Sequence, residues 1–72
     1  MFGRVLRRMR RERELSQDAL ADLAGMASKH VSELERGRKE PRLGTLLQLA
    51  DALDVPSSEL LVRFDEERRT RV

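Results

Sequence analysis

Apolar residues near the start of the chain recur at i, i+3, i+4 and i+7: Phe2, Val5, Leu6 and Met9, with arginine on the other faces. That spacing puts them on one side of a helix and predicts an amphipathic helix over residues 3–13. Leu15 and Ser16 interrupt it. Ser16 is a good N-cap, and Asp18 is an acid in the first turn of a second helix, 17–24, which should turn Leu20, Leu23 and Ala24 inward. Gly25 supplies the left-handed residue that ends a helix. A third helix, 28–36, turns Val31 and Leu34 inward and closes on Gly37. A polar loop with Pro41 follows, then a fourth helix, 43–53, with Leu46, Leu49, Ala50 and Leu53 as its stripe. Val55-Pro56-Ser57 is the next break, and residues 59–64 read as a fifth helix. The pattern predicts an all-α domain over 1–64 and a charged tail, 65–72, that should fray. The expected core is Leu6, Met9, Leu20, Leu23, Val31, Leu34, Leu46, Leu49, Ala50 and Leu53, joined by Leu60.

Composition removes several function classes. The 72 residues include no Cys and one His, which leaves no disulfide scaffold, no Cys-ligated zinc module and no His/Cys nucleophile pair. With no Trp, no Tyr and two Phe, the chain cannot build an aromatic base-stacking platform. An enzyme is not expected, nor is a cofactor, a metal or a small-molecule ligand. No apolar run approaches the ~20 residues of a membrane span. The arginine-rich start lacks the apolar segment of a signal peptide, so a cytoplasmic location is the expectation. Residues 1–42 carry 11 basic and 7 acidic side chains, residues 43–72 carry 4 and 6. All basic residues except Lys29 and Lys39 are arginine, which pairs best with phosphate. The basic first half fits a polyanion partner or, equally, a solvated surface.

The middle of the chain has the spacing of a helix-turn-helix. With Gln17 as the first position, the fourth is Leu20, the fifth is the small Ala21, and the ninth is Gly25. The fifteenth and eighteenth are Val31 and Leu34. A bulky residue at 21 would push two crossing helices apart, and a Cβ at 25 would resist the positive φ of the turn. With Val31 and Leu34 inward, Ser28, Lys29, Ser32 and Glu33 share the opposite face, where base edges would lie.

The runs Leu15-Ser16-Gln17-Asp18-Ala19-Leu20-Ala21, Ala24-Gly25 and Val31-Ser32-Glu33-Leu34-Glu35-Arg36-Gly37, then Pro41 and Thr45-Leu46-Leu49-Ala50-Ala52-Leu53, resemble the Cro/C1-type helix-turn-helix family of phage repressors and bacterial regulators. The likeness covers about residues 3–61. It implies a five-helix, lambda-repressor-like domain that binds double-stranded DNA as a homodimer on a pseudo-palindromic operator and regulates transcription. Carried over residue by residue, it implies phosphate contacts by Gln17, Arg36, Arg38, Lys39 and Arg42. It implies base reading by Ser28, Lys29, Ser32 and Glu33, with Glu33 otherwise orienting a neighbouring cation. It implies an ion pair between Arg10 and Glu35. Two positions depart from the family pattern. Ala27 stands where a capping Ser or Thr is usual, so Ser28 would have to cap one residue later. Arg42 and Gly44 stand where the fourth helix usually opens with Ser and Glu. Short members include repressor domains, antitoxins and controllers of restriction–modification systems, and size and the fifth helix place this chain nearest the controllers.

Adjacent residues 60, 61 and 62 cannot all face the core. Leu61, Val62 and Phe64, with the Leu47 edge of the fourth helix, are therefore the expected dimer interface, unless Phe64 lids its own core. The alternative function is an antitoxin-type protein-interaction module with secondary DNA binding, although the short tail offers little to fold on a toxin. Arg4, Arg7, Arg8, Arg11 and Arg13 on the first helix either reach the DNA backbone or form a solvated face.

Overall fold

Five helices carry the regular structure of the described residues, 2–70, of this computed structural model: α1 (Phe2–Glu12), α2 (Gln17–Ala24), α3 (Ser28–Glu35), α4 (Leu43–Ala52) and α5 (Ser57–Thr70). α2 and α3 cross as the helix-turn-helix. α1 lies on α3, α4 on α2, and α5 closes the domain against α1 and α4. Of the predicted core, Leu6, Met9, Leu20, Val31, Leu34, Leu49, Leu53 and Leu60 are fully buried and Leu46 and Ala50 are buried with them, while Phe2, Val5, Ala21, Ala24 and Val55 join the cluster.

Leu23 is the exception, at 62 % exposed. α2 buries Leu20, Ala21 and Ala24 instead. At about 100° per residue the buried stripe centres between Ala21 and Leu20, and Leu23 falls about 100° away from it. The small residues face inward because α2 approaches its neighbours closely.

The fifth helix is longer than predicted. It starts at Ser57 and continues through the charged segment to Thr70, and residues 71–72 of the expected tail lie outside the described residues. No apolar stripe supports that extension. Asp65 pairs with Arg68 at 2.6 Å and with Arg69 at 3.0 Å, the i+3 and i+4 neighbours that a helix brings together. Glu67 reaches across to Arg4 and Arg8 of α1. Arg63 bonds both carboxylate oxygens of Glu12, again on α1. At the core end of α5, Phe64 meets Phe2 edge-on, with ring centroids 5.8 Å apart and planes at 77°.

Four helices end in the same way. Glu14, Gly25, Gly37 and Asp54 adopt left-handed φ values of 55°, 70°, 75° and 58°. In each case the following residue donates back to the carbonyl five positions earlier: Leu15 to Arg10, Met26 to Ala21, Arg38 to Glu33 and Val55 to Ala50. This is the Schellman cap. Leu15, Met26 and Val55 then pack on the core, so three caps also aim the chain inward. A different constraint acts at Gly3, where a Cβ would sit on the carbonyl oxygens of Leu34 and Glu35. α1 therefore meets the last turn of α3 backbone to backbone.

Glu14 occupies the left-handed region with a side chain that gains nothing from it. Glu14→Gly should raise stability by about 0.5–1 kcal/mol, a rise of several degrees in Tm. Gly3→Ala should lower it by about 1–3 kcal/mol through overpacking. Thermal denaturation of the two variants checks both, and opposite signs are expected.

Candidate nucleic-acid interface

The helix-turn-helix is assembled from local rules. The Ser16 hydroxyl accepts from the Ala19 N–H at 3.0 Å and starts α2. Ala21, buried and small, lets α3 cross closely, and Gly25 ends α2 at open space with φ 70°. α3 begins after Ala27, which provides no side-chain cap. Ser28 does not take over that role: its hydroxyl donates to the Asp18 carboxylate and ties the head of α3 to the head of α2. α3 buries Val31, Leu34 and Glu35 and turns Ser28, Lys29, Ser32 and Glu33 outward.

The outward residues differ in their freedom. Lys29 is exposed and makes no ion pair or side-chain hydrogen bond among the described residues. Ser32 is half-buried. Glu33 forms an ion pair with the Lys39 ammonium at 3.4 Å, an arrangement that orients the cation. Arg36, Arg38 and Arg42 stand exposed around the end of α3 and the head of α4, with no acidic partner among the described residues. Arg42 occupies the N-cap of α4 without a side-chain cap bond, so a cation sits beside the positive end of a helix.

Behind this face lies the buried carboxylate of Glu35. Glu35 Oε2 accepts Arg10 Nε at 2.6 Å, and Oε1 accepts Arg10 Nη2 at 3.0 Å. The same Oε1 accepts Gln17 Nε2 at 3.1 Å and Arg7 Nε at 3.3 Å. Arg10 Nη1 also donates to the Leu15 carbonyl at 2.8 Å, which fixes the link between α1 and α2. The Glu35 side chain is 0 % exposed and that of Arg10 10 %. Burial alone would push the Glu35 carboxyl up. The hydrogen bonds from Arg10, Gln17 and Arg7, with the Arg10 charge, outweigh it and hold the carboxyl below its ordinary range.

Several sequence expectations change at this point. Gln17, expected to hold a phosphate, donates one of its two amide hydrogens to Glu35. Its head-of-helix position brings it within reach of a buried acceptor that the sequence pattern does not reveal. Phe64, expected at a dimer interface, is half-buried on Phe2 and its own core, because the N-terminal turn of α1 brings an aromatic partner to it. Leu61, Val62 and Leu47 remain exposed at 46 %, 55 % and 44 %. The arginines of the first helix stay exposed at positions 4, 7, 8 and 11 but differ in their partners, and Arg11 has no acidic partner among the described residues. Arg4 and Arg8 meet Glu67, Arg7 meets Glu35, and Arg13 donates to the Leu53 carbonyl at the end of α4. Only tertiary partners distinguish them, since all of them carry the same charge on or just beyond the same helix.

A five-helix, lambda-repressor-like domain with its helix-turn-helix in α2 and α3 is the fold of DNA-binding transcriptional regulators. A helix-turn-helix domain family model matches residues 1–63, and the chain belongs to that family. It is 39 % identical over 66 residues to the uncharacterized HTH-type transcriptional regulator y4dJ of Sinorhizobium fredii, covering 92 % of this chain and 86 % of that one. It is 35 % identical to the HTH-type transcriptional repressor RghR of Bacillus subtilis, over 86 % of this chain and 47 % of RghR. The chain thus spans about half the length of some relatives. Among solved structures, the restriction-modification controller protein C.AhdI of Aeromonas hydrophila matches with a TM-score of 0.79 at 42 % identity, over 82 % of this chain and 89 % of that one. The biofilm regulator SinR in complex with DNA matches with a TM-score of 0.78 at 32 % identity, over 85 % of this chain and 98 % of that one.

A carboxyl held low when folded stabilises the protein above its unfolded value, and that stability disappears as pH falls through the folded value. Glu35→Gln should therefore cost about 3–5 kcal/mol at neutral pH by leaving Arg10 without a counter-charge. The gap to wild type should narrow as pH drops below the ordinary Glu value of about 4.3. Denaturant unfolding of both proteins from neutral pH into the acid range measures this, and a gap independent of pH contradicts it.

Proposed function

We propose that the chain binds double-stranded DNA sequence-specifically as a homodimer, on a pseudo-palindromic operator, and regulates transcription by occupying it. The observation that carries this reading is the outward face of α3: a free Lys29 flanked by serines, followed directly by Arg36, Arg38 and Arg42 without acidic partners. An ammonium of this kind donates to guanine O6 or N7 in the major groove, while the arginines fix the register on phosphates. Lys39 joins them from its contact with Glu33. Gln17 contributes by bracing Glu35, and Ser28 by joining the two helices of the motif. The exposed Leu47, Leu61 and Val62 on α4 and α5 serve as the two-fold contact between subunits. The likeness to C.AhdI over most of both chains favours control of a restriction–modification operon. The location that follows is the cytoplasm, on the nucleoid.

An operator selected in vitro from random duplexes should bind two chains. Its log–log salt slope should be roughly −5 to −7 if about six to eight phosphates are contacted. Lys29→Ala should cost about 1–3 kcal/mol on that operator and much less on random duplex. Equal losses on both would make Lys29 a phosphate contact, and a salt-independent complex would refute the reading.

A further inference from the structure

The buried Glu35 carries one negative charge and is met by two guanidinium groups. Arg10 supplies the full counter-charge, with two nitrogens on the two carboxylate oxygens. Arg7 adds a second cation through Nε alone, at 3.3 Å. The terminal nitrogens of Arg7 make no hydrogen bond among the described residues. Its side chain is 45 % exposed beside a carboxylate that is 0 % exposed. The cluster therefore carries a surplus positive charge, and that surplus reaches solvent at Arg7.

Position decides what the surplus serves. Gln17 Nε2 donates to the same Glu35 oxygen at 3.1 Å, so the Arg7 guanidinium lies beside the head of α2. Steps of about 100° round α1 order its arginines from buried Arg10 through Arg7 to Arg11, Arg4 and Arg8. Arg4 and Arg8, at the far border, end on Glu67 of α5. Arg7 stands at the near border, where α1 meets the helix-turn-helix.

We propose that Arg7 is a phosphate clamp that brings α1 into the DNA interface. Glu35 pins its Nε and aims the two terminal amino groups outward as a fixed fork. A planar fork of this kind bonds two oxygens of one phosphate, and the anchored side chain has less rotamer freedom to lose on binding. Glu35 acts as the positioning residue, and Arg10 cancels its charge so that it does not repel the phosphate. The proposal rests on the DNA-binding reading above.

The test is binding of the full chain and its variants to the selected operator and to random duplex, each over a range of salt, with thermal melts confirming that the variants fold. Arg7→Gln should weaken both complexes by the same factor and make the salt slope shallower by about 0.9 per subunit. Arg7→Lys should restore the slope and only part of the affinity, since it keeps the charge and loses the fork. Arg8→Gln should leave the slope unchanged. A wild type with a steep slope that Arg7→Gln does not alter overturns the clamp and leaves the DNA-binding reading in place. An equal change in Arg8→Gln also overturns it, because Arg7 would then act only as diffuse charge. A wild type that binds neither duplex overturns both.

Discussion

A carboxylate with no exposed surface, placed where three helices meet, sets the geometry of this domain. Glu35 belongs to α3, and its partners come from α1 and from the head of α2. Taking a carboxylate and a guanidinium out of water is expensive, and the expense is offset only when every oxygen and most N–H groups find partners. Here they do: no buried side-chain nitrogen or oxygen among the described residues lacks a hydrogen bond. An apolar plug of the same size would fill the space without specifying direction. The bidentate pair fixes the rotation of α3 about its own axis, and with it the direction in which Lys29 and Ser32 point. The backbone contact at Gly3 acts together with the pair, because it brings α1 close enough for Arg10 to reach Glu35.

Much of this was legible along the chain because the relevant signals are local. Helix starts and stops follow Ser16, Gly25, Gly37 and Pro41, and the apolar spacing selects nearly the whole core. Arg10 and Glu35 could be paired only through the family likeness, since residues 25 apart carry no periodic relation. Leu23 was misplaced because periodicity finds a stripe of large apolar residues, whereas α2 packs through Ala21 and Ala24. The extension of α5 was illegible for the opposite reason. Its charged residues look like a solvated tail until Arg4, Arg8 and Glu12 of α1 are brought opposite Glu67 and Arg63. The role of Gly3 depends on a close approach that no spacing reports.

Charge is distributed with a direction. The acidic residues of α5 take up the arginines on one side of α1, and the caps bury Leu15, Met26 and Val55 beneath the turns. Of the basic side chains left without an acidic partner among the described residues, Lys29 lies on α3 and Arg36, Arg38 and Arg42 follow it, with Arg11 on α1. The same arginine composition that suggests a uniform basic surface is thus divided into a structural set and a set left for a partner. That division follows from the tertiary fold, which places acids beside some arginines and none beside others.

The central claim is that the Arg10–Glu35 pair acts as a unit on which α1, α2 and α3 depend. A double-mutant cycle with Arg10→Met, Glu35→Leu and the combined variant measures this directly through denaturant unfolding. If the account holds, each single change strands a buried partner and costs about 3–5 kcal/mol, while the double variant recovers most of that loss. Losses that simply add would mean that the two residues contribute independently, and would contradict the account.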